Sequence, residues 1–277
     1  MSSNDDVDKK VRDWWQTDIT EMAPGMLRYH GYAIEDLIGN VGFPGMVWLL
    51  LKGELPNEGQ EKLFGYALTA GVDHGPQAPS IAIARMAATC GVGLNNAMAS
   101  ALNVLGDVHG GAGEQAVEIY AEIAADIDAN GGAASDGVTR FLDRFFADGG
   151  KYIPGFGHRF HKVDPRTGRL MDLIAESEKD GVVSGNVRAI AQEMERQVSA
   201  RKNREINMNI DGATAVVYAE LGFPAPLARG FFCLARSVGI LAHAWEQTQQ
   251  GGRNKGPIPR DMIWTYTGKP HRPVERD

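Results

Sequence analysis

Apolar side chains recur at helical spacing along most of this chain. Residues 34–52 carry apolar side chains three and four positions apart, and Gly53 ends the run, as in amphipathic helices. The nearly apolar run at 225–249 has the composition of a core helix. Further helices are predicted at 58–71, 79–91, 94–105, 113–128, 136–147, 169–181, 185–202 and 211–221. Because alternating β-branched runs are scarce, the pattern predicts an all-α fold with an irregular tail from residue 250.

Two breaks in this helical pattern bracket the middle of the chain. One is glycine-rich, at 110–113, and the other is Leu-Gly-Phe-Pro at 221–224. They enclose about a hundred residues, the size of a small domain, and insertions of this kind often close over a ligand. We expect a discontinuous large domain, 1–111 with 222–277, and a small helical domain, 112–221, that closes over an active site.

The composition of the chain argues against several classes of protein. The 277 residues carry a net charge of −7 with 43% hydrophobic residues, which disfavours a nucleic-acid binder. Two cysteines, Cys90 and Cys233, cannot form a disulfide framework. The charged N-terminus lacks an apolar leader, and the apolar runs are interrupted, so we expect no signal peptide, no membrane span and a cytoplasmic location.

Three polar sites stand at breaks between helices. His109 lies in Gly-Asp-Val-His-Gly-Gly-Ala-Gly-Glu, where glycines leave backbone N–H groups open to a ligand beside the imidazole. His158 ends Pro-Gly-Phe-Gly-His, and Asp211 follows Asn-Ile at a helix start. Each has an ordinary structural interpretation, and for Asp211 that is a helix N-cap. Together, two imidazoles and a carboxylate suffice to remove a proton from carbon and stabilise the enolate.

Basic residues point to an acidic small molecule. Arg236 lies inside the apolar run at 225–249, where a guanidinium requires a partner, either a structural ion pair or a bound carboxylate. Asp164-Pro165-Arg166 is interpreted as a turn that presents its arginine. His158, His161 and Asp164 have a spacing compatible with a metal site, but the interleaved basic residues favour anions, and no metal is expected.

An ordered series of motifs resembles the citrate synthase superfamily. Gly25 to Leu37 is similar to its "GxLRYRGYxIEDL" segment, and Leu49 to Pro56 to its "LLxGELP". Val-Asp-His-Gly at 72–75, the runs around His109 and His158, Asn-Ile-Asp at 209–211, the Arg236 helix and Arg272-Pro follow in family order. The resemblance implies a citrate synthase-like, all-α fold that acts on a coenzyme A thioester.

The resemblance also implies roles for individual residues. Asp211 would take a proton from the methyl group of acetyl-CoA, His109 would donate a hydrogen bond to the thioester oxygen, and His158 would bind and protonate the oxaloacetate carbonyl. Substrate carboxylates would be held by His74, Arg166, Arg236 and Arg272. Coenzyme A would contact Pro154, Gly155, Phe156, Gly157 and Lys162. No tightly bound cofactor is implied, and a homodimer or higher oligomer is expected, with Arg272 reaching the neighbouring subunit's site.

The short length changes which reaction is expected. Typical citrate synthases carry over a hundred more residues, whereas the compact layout is similar to citryl-CoA lyase and the corresponding module of ATP-citrate lyase. Those relatives usually have "GDRFGG" where this chain has His109. We favour cleavage of citryl-CoA to acetyl-CoA and oxaloacetate. Citrate synthase, or a related acyl-CoA and 2-oxo acid enzyme, is the alternative, and a non-catalytic CoA-binding subunit is a further one.

Overall fold

The computed structural model describes residues 3–158, 160–259 and 261–274. This part of the chain is mostly helical, as the apolar spacing predicts. Its helices are α1 (Ser3–Trp14), α2 (Ile34–Leu37), α3 (Phe43–Lys52), α4 (Glu58–Gly71), α5 (Pro79–Thr89), α6 (Leu94–Leu102), α7 (Ala112–Asn130), α8 (Ala134–Ala147), α9 (Pro165–Lys179), α10 (Asn186–Lys202), α11 (Ile210–Glu220) and α12 (Ala225–Gln249). Apart from α1, each of these lies within or close to a predicted segment.

A small antiparallel sheet near the N-terminus corrects the purely helical prediction. Its strands are β1 (Thr20–Ala23), β2 (Met26–Tyr29) and β3 (Tyr32–Ala33), in the order β1-β2-β3. His30 and Gly31 connect β2 to β3 with φ of 45° and 87°, the left-handed pair that a two-residue hairpin turn requires. The strands escaped detection because they are only two to four residues long, too short to show alternation.

The chain divides into two compact units. The first comprises residues 1–73 and 105–238, and the second comprises residues 74–104 and 239–277. These bounds differ from the predicted domains, 1–111 with 222–277 and 112–221. The predicted domains concern closure over a ligand, and that division stays a prediction.

An aromatic cluster lies in the core of the first unit. The Phe64 ring on α4 lies 4.9 Å from Phe231, 5.3 Å from Phe223 and 6.2 Å from Trp48, centroid to centroid. Helices α4, α7, α9 and α10 pack around the largely buried α11. Because α11 is enclosed in this way, its N-terminal residues are held in a fixed position.

In the second unit, α5 packs on α6. Its core is built of small side chains, including Ala84, Ala97 and Ala101, around Ile81 and Ile240. Arg85 hydrogen-bonds Gln250 at 2.7 Å and pairs with Glu246 at 2.5 Å. The Thr89 carbonyl accepts a hydrogen bond from the Asn254 N–H at 2.7 Å, which holds the start of the irregular tail.

Helix α12 coincides with the predicted apolar run at 225–249, but its length and hydropathy depart from the expectation that no apolar run could span a membrane. Its 25 residues include a window of mean hydropathy 1.3, enough to cross a membrane by length and composition alone. Ala228, Phe231 and Ala235 belong to the first core, and Ile240 and Ala244 belong to the second. Of that window, 33% is buried.

Candidate active site

Asp164 begins helix α9 and holds Arg166 in place. Its Oδ1 accepts hydrogen bonds from the Arg166 backbone N–H at 3.1 Å and from Nε at 3.0 Å, and its Oδ2 accepts one from Nη2 at 2.8 Å. Burial alone would raise the pKa of this carboxyl, but the Arg166 hydrogen bonds and charge outweigh burial and lower the pKa to about 2. Asp164-Pro165-Arg166 is therefore a helix start with an internal ion pair, which corrects its interpretation as a simple turn.

Asp211 stands in the first turn of α11. The helix is capped by Asn209, whose Oδ1 accepts hydrogen bonds from the backbone N–H groups of Asp211 at 3.0 Å and Gly212 at 3.2 Å. The N-cap role considered for Asp211 is therefore wrong. Burial raises the pKa of the Asp211 carboxyl, although the positive charges of Arg166 and Arg236 oppose the shift.

The run that precedes His158 lies against the run that precedes Asp211. Gly157 N–H donates to the Asn207 carbonyl at 2.7 Å, and Asn209 N–H donates to the Gly155 carbonyl at 3.0 Å. A Cβ on Gly155 would meet the Gly212 Cα at 2.8 Å, so both positions need glycine. Two of the three predicted catalytic segments are thus joined by backbone hydrogen bonds.

His158 has a defined tautomer in its neutral form. Its Nδ1 accepts hydrogen bonds from the backbone N–H groups of Phe160 at 3.0 Å and His161 at 2.9 Å. The ring proton therefore sits on Nε2, which lies 3.9 Å from Asp164 Oδ2. Burial lowers the pKa of His158, and Asp164 opposes the shift. A neutral Nε2–H is the hydrogen-bond donor that a carbonyl oxygen requires.

His109 lies in a tightly folded loop, residues 106–111, which we call the His109 loop. Gly106 N–H donates to the His109 carbonyl at 2.9 Å. Helix α7 begins directly after the loop, with Gly111 as its N-cap, as predicted. Burial lowers the pKa of His109, and the positive charge of Arg236 lowers it further. This imidazole is therefore also neutral at physiological pH.

The C-terminal end of α4 holds two predicted carboxylate-binding arginines. The Ala70 carbonyl accepts a hydrogen bond from Arg166 at 3.3 Å, and the Gly71 carbonyl accepts one from Arg236 Nε at 3.0 Å. Helix C-termini carry partial negative charge, which attracts guanidinium groups. Arg236 is 4% exposed, and its guanidinium lies 4.7 Å from the centre of the Phe232 ring. Both arginines stand close enough to Asp211 to oppose its protonation.

Two cavities of the first unit contain predicted site residues. A cavity of about 20 Å³ is lined by Asp211, Arg236 and Gly113 among others, which is room for about one water. A groove of about 790 Å³ is lined by Phe156, Gly157, His158 and Lys162 among others. Neither of these two cavities is lined by all three of His109, His158 and Asp211. The common neighbours that link them are Arg166, Arg236 and Asp164.

The remaining predicted residues are placed as follows. Pro154 and Gly155 form the turn that leads into the groove, and the Lys162 side chain, 82% exposed, pairs with Glu205 at 2.9 Å on its rim. His74 and Arg272 belong to the second unit, where His74 is half-buried and Arg272 exposed. The roles assigned to all of these residues stay predictions.

The sequence analysis missed the observed roles of several residues. Asp164 and Asn209 organise the two helix starts, and Lys151, Lys202 and Arg204 add positive charge to the groove. Asp followed by Pro is a common helix start, with proline at the first helical position, so the pair at 164–165 carried a usable signal. The basic residues of the groove offered no local signal, because they come from segments fifty residues apart.

Comparison with known proteins assigns the family. The family described as "Citrate synthase, C-terminal domain" matches residues 13–72 and 57–260. Citrate synthase of Acidithiobacillus ferridurans is 32% identical over 231 residues, 80% of this chain. The chain belongs to the citrate synthase family. It spans about half the length of the curated relatives it matches, 54% for the citrate synthases of A. ferridurans and Haloferax volcanii, the latter 30% identical over 79% of this chain.

Solved structures of this family share the fold. Citryl-CoA lyase from Hydrogenobacter thermophilus aligns with a TM-score of 0.81 and 32% identity, over 94% of this chain and 97% of that chain. ATP citrate lyase from Methanosaeta concilii, in complex with (3S)-citryl-CoA, aligns with a TM-score of 0.77 at 20% identity, over 97% of this chain and 45% of that chain. The predicted helical, citrate synthase-like fold is confirmed.

Proposed function

We propose that this citrate synthase-family enzyme makes or breaks the carbon–carbon bond between acetyl-CoA and oxaloacetate, and that cleavage of citryl-CoA is its main reaction. The observation that carries the proposal is the environment of Asp211. Its carboxyl group is half-buried at a helix start, burial raises its pKa, and the positive charges of Arg166 and Arg236 act on it. A carboxyl group poised in this way can exchange a proton with carbon.

In the cleavage direction the proton balance is simple. The citryl hydroxyl gives its proton to water, and the Nε2–H of His158 donates a hydrogen bond to the oxygen left behind. The carbon–carbon bond then breaks to give the oxaloacetate carbonyl and the enolate of acetyl-CoA. His109 donates a hydrogen bond to the enolate oxygen. Protonated Asp211 then delivers its proton to the methylene carbon, and acetyl-CoA is complete. Condensation runs through the same steps in reverse, with Asp211 as the base.

The neutral imidazoles support these roles. Burial lowers the pKa of both His109 and His158, so each ring can donate a hydrogen bond without carrying a full charge into the site. Removing one donor to a developing oxyanion typically costs a factor of about 10²–10³ in kcat. Arg166 and Arg236 supply the positive charge that attracts a di- or tricarboxylate.

The 790 Å³ groove is the proposed site for coenzyme A. Its volume falls in the range of ligand pockets. Lys151, Lys162, Lys202 and Arg204 provide charge for phosphate groups, and Phe156 and Ile206 provide an apolar surface for the pantetheine arm. Because Gly157 and His158 are among the residues that line the groove, a thioester bound in it can reach His158.

Two observations favour cleavage over synthesis. The match to citryl-CoA lyase spans nearly all of both chains at a TM-score of 0.81, whereas citrate synthase from Thermoplasma acidophilum aligns at 0.58 over similar coverage. The curated citrate synthases are matched over about half of their length. His109 is the feature that favours citrate synthase as the second candidate.

A two-way assay tests the proposal. Purified protein is mixed with citryl-CoA, and separately with acetyl-CoA and oxaloacetate, while free thiol and oxaloacetate are followed. Oxaloacetate from citryl-CoA without free coenzyme A is the expected result. Free coenzyme A from the condensation mixture would establish citrate synthase instead. If neither mixture yields free thiol or oxaloacetate while coenzyme A binding is measurable, the result would contradict catalysis and support a binding subunit.

The same proposal places Arg272 in the site of a second copy of the chain. Arg272 is exposed in the irregular tail, so it is available to a partner. Mixing two inactive variants, Asp211→Asn and Arg272→Ala, would restore activity in mixed oligomers if the site is shared. Unchanged inactivity after confirmed subunit exchange would contradict the shared site.

We further propose that the enzyme works in the cytoplasm.

A further inference from the structure

An ion-paired arginine holds both ends of the His109 loop. Arg229, in the first part of α12, contacts Asp107 Oδ1 through Nη2 at 2.6 Å and contacts the Glu114 carboxylate through Nε. Asp107 stands two residues before His109, and Glu114 lies in the first turn of α7, five residues after it. The guanidinium therefore bridges the chain on the two sides of the imidazole.

The loop itself is tightly folded. A Cβ on Gly111 would meet the Asp107 Cα at 2.7 Å, and one on Gly110 would meet the Phe232 ring at 3.0 Å. The Val108 side chain, in contrast, is fully exposed. The backbone is thus compact at its base, and Arg229 connects this base to both α7 and α12.

We propose that Arg229 is a positioning residue, which sets the distance of His109 from the reacting thioester by clamping Asp107 and Glu114. The proposal rests on the proposed function, because it gives His109 a substrate to reach. The planar guanidinium suits this task, since it can hold two carboxylates in a fixed relative geometry. Misplacement of a catalytic group by about 1 Å can cost a factor of about 10² in rate.

Stability and positioning are measured separately at this residue. The Asp107 side chain is 76% exposed, so its pair with Arg229 contributes little to global stability. The Glu114 side chain is only 17% exposed, so loss of Arg229 should lower the melting temperature as well as loosen the loop. A purely structural arginine would lower the melting temperature and leave kcat unchanged well below unfolding.

The test compares Arg229→Gln and Arg229→Lys with a matched control, Arg144→Gln. Arg144 also contacts two carboxylates, Glu122 at 2.8 Å and Asp126 at 3.8 Å, and also ties another helix to α7. We expect Arg229→Gln to lower kcat roughly tenfold to a hundredfold with little change in KM. Arg229→Lys should be intermediate, because an ammonium cannot hold both carboxylates in one plane. The control should keep the wild-type kcat.

Amide hydrogen exchange in residues 106–111 provides a readout independent of substrate. Faster exchange in Arg229→Gln, with normal exchange in α8 and α10, is expected. Wild-type kcat, or a lowered kcat with unchanged exchange in the loop, would overturn the proposal. Should Arg229→Gln fail to fold, Arg229→Lys is judged by the same criteria. A wild-type enzyme without turnover would refute the proposed function, whereas the exchange result would still decide whether Arg229 holds the loop.

Discussion

The starts of helices α9 and α11 are capped by different residues, an aspartate in α9 and an asparagine in α11. Each helix leaves backbone N–H groups that need an acceptor, and each carries an aspartate close to its first turn. At α9 the aspartate itself, Asp164, is the cap, and it is saturated by Arg166. At α11 the neutral amide of Asn209 is the cap, so the Asp211 carboxyl group is not needed to cap the helix.

This difference in capping explains why the pKa of Asp164 is lowered and that of Asp211 is raised. Hydrogen bonds from Arg166 lower the pKa of Asp164 to about 2 despite its burial. Burial raises the pKa of Asp211, where no comparable hydrogen bond compensates among the residues that the structure describes. Two carboxyl groups with opposite shifts in one region are a common sign of separated structural and acid–base roles.

The largest expected effect follows from replacing Asp211. Asp211→Asn keeps the shape but cannot transfer a proton, so kcat should fall by a factor of about 10²–10⁴. The raised pKa means that the ionised carboxyl opposes folding above its ordinary pKa of 3.8. The variant should therefore unfold at an equal or higher temperature at pH 7, by calorimetry. An active variant would eliminate Asp211 as the proton carrier.

Asp164→Asn should act mainly on stability. The Asp164 side chain is fully buried, and breaking a buried ion pair costs about 3 kcal/mol. Asp143→Asn is the matched control, because its pair with Arg201 is 2.6 Å long but its side chain is 63% exposed. That control should cost less than about 1 kcal/mol in urea unfolding.

The pH dependence of this difference has a defined sign. The pKa of Asp164 is lowered, so its contribution is complete above pH 3.8 and is lost as the pH falls toward about 2. The stability gap between wild type and Asp164→Asn should close over that interval. A gap that persists at pH 2 would contradict the ion pair as its source.

A smaller effect is expected from Asn209→Ala. Loss of an N-cap costs about 1 kcal/mol, and here it also removes the Asn209 Nδ2 hydrogen bond to the Gly157 carbonyl, 2.6 Å long. Asn57→Ala, which removes the cap of α4, should cost a similar amount of stability with unchanged kcat. Asn209→Ala should in addition lower kcat. Equal kcat in the two variants would show that the cap does not position Asp211.

The same two helix starts show which features of the fold and site could be predicted from the sequence. Apolar spacing located α11 and the glycine breaks located the His109 loop, because these are local signals. The motif order then pointed to Asp211, His109 and His158. Which residue caps a helix, and which carboxylate an arginine holds, depend on contacts across the fold. Asp164 and Arg166 lie close in sequence, yet Arg166 also binds Ala70, 96 residues away. The short strands β1 to β3 were missed because each lacks enough residues for a period.

The most direct test is a ¹³C NMR titration of the aspartate carboxyl groups in the free enzyme, assigned with Asp211→Asn and Asp164→Asn. The expected result is that Asp211 titrates above the exposed aspartates, while Asp164 stays ionised to about pH 2. An Asp211 that titrates with or below the exposed aspartates would contradict the assignment of a stored, transferable proton to this residue.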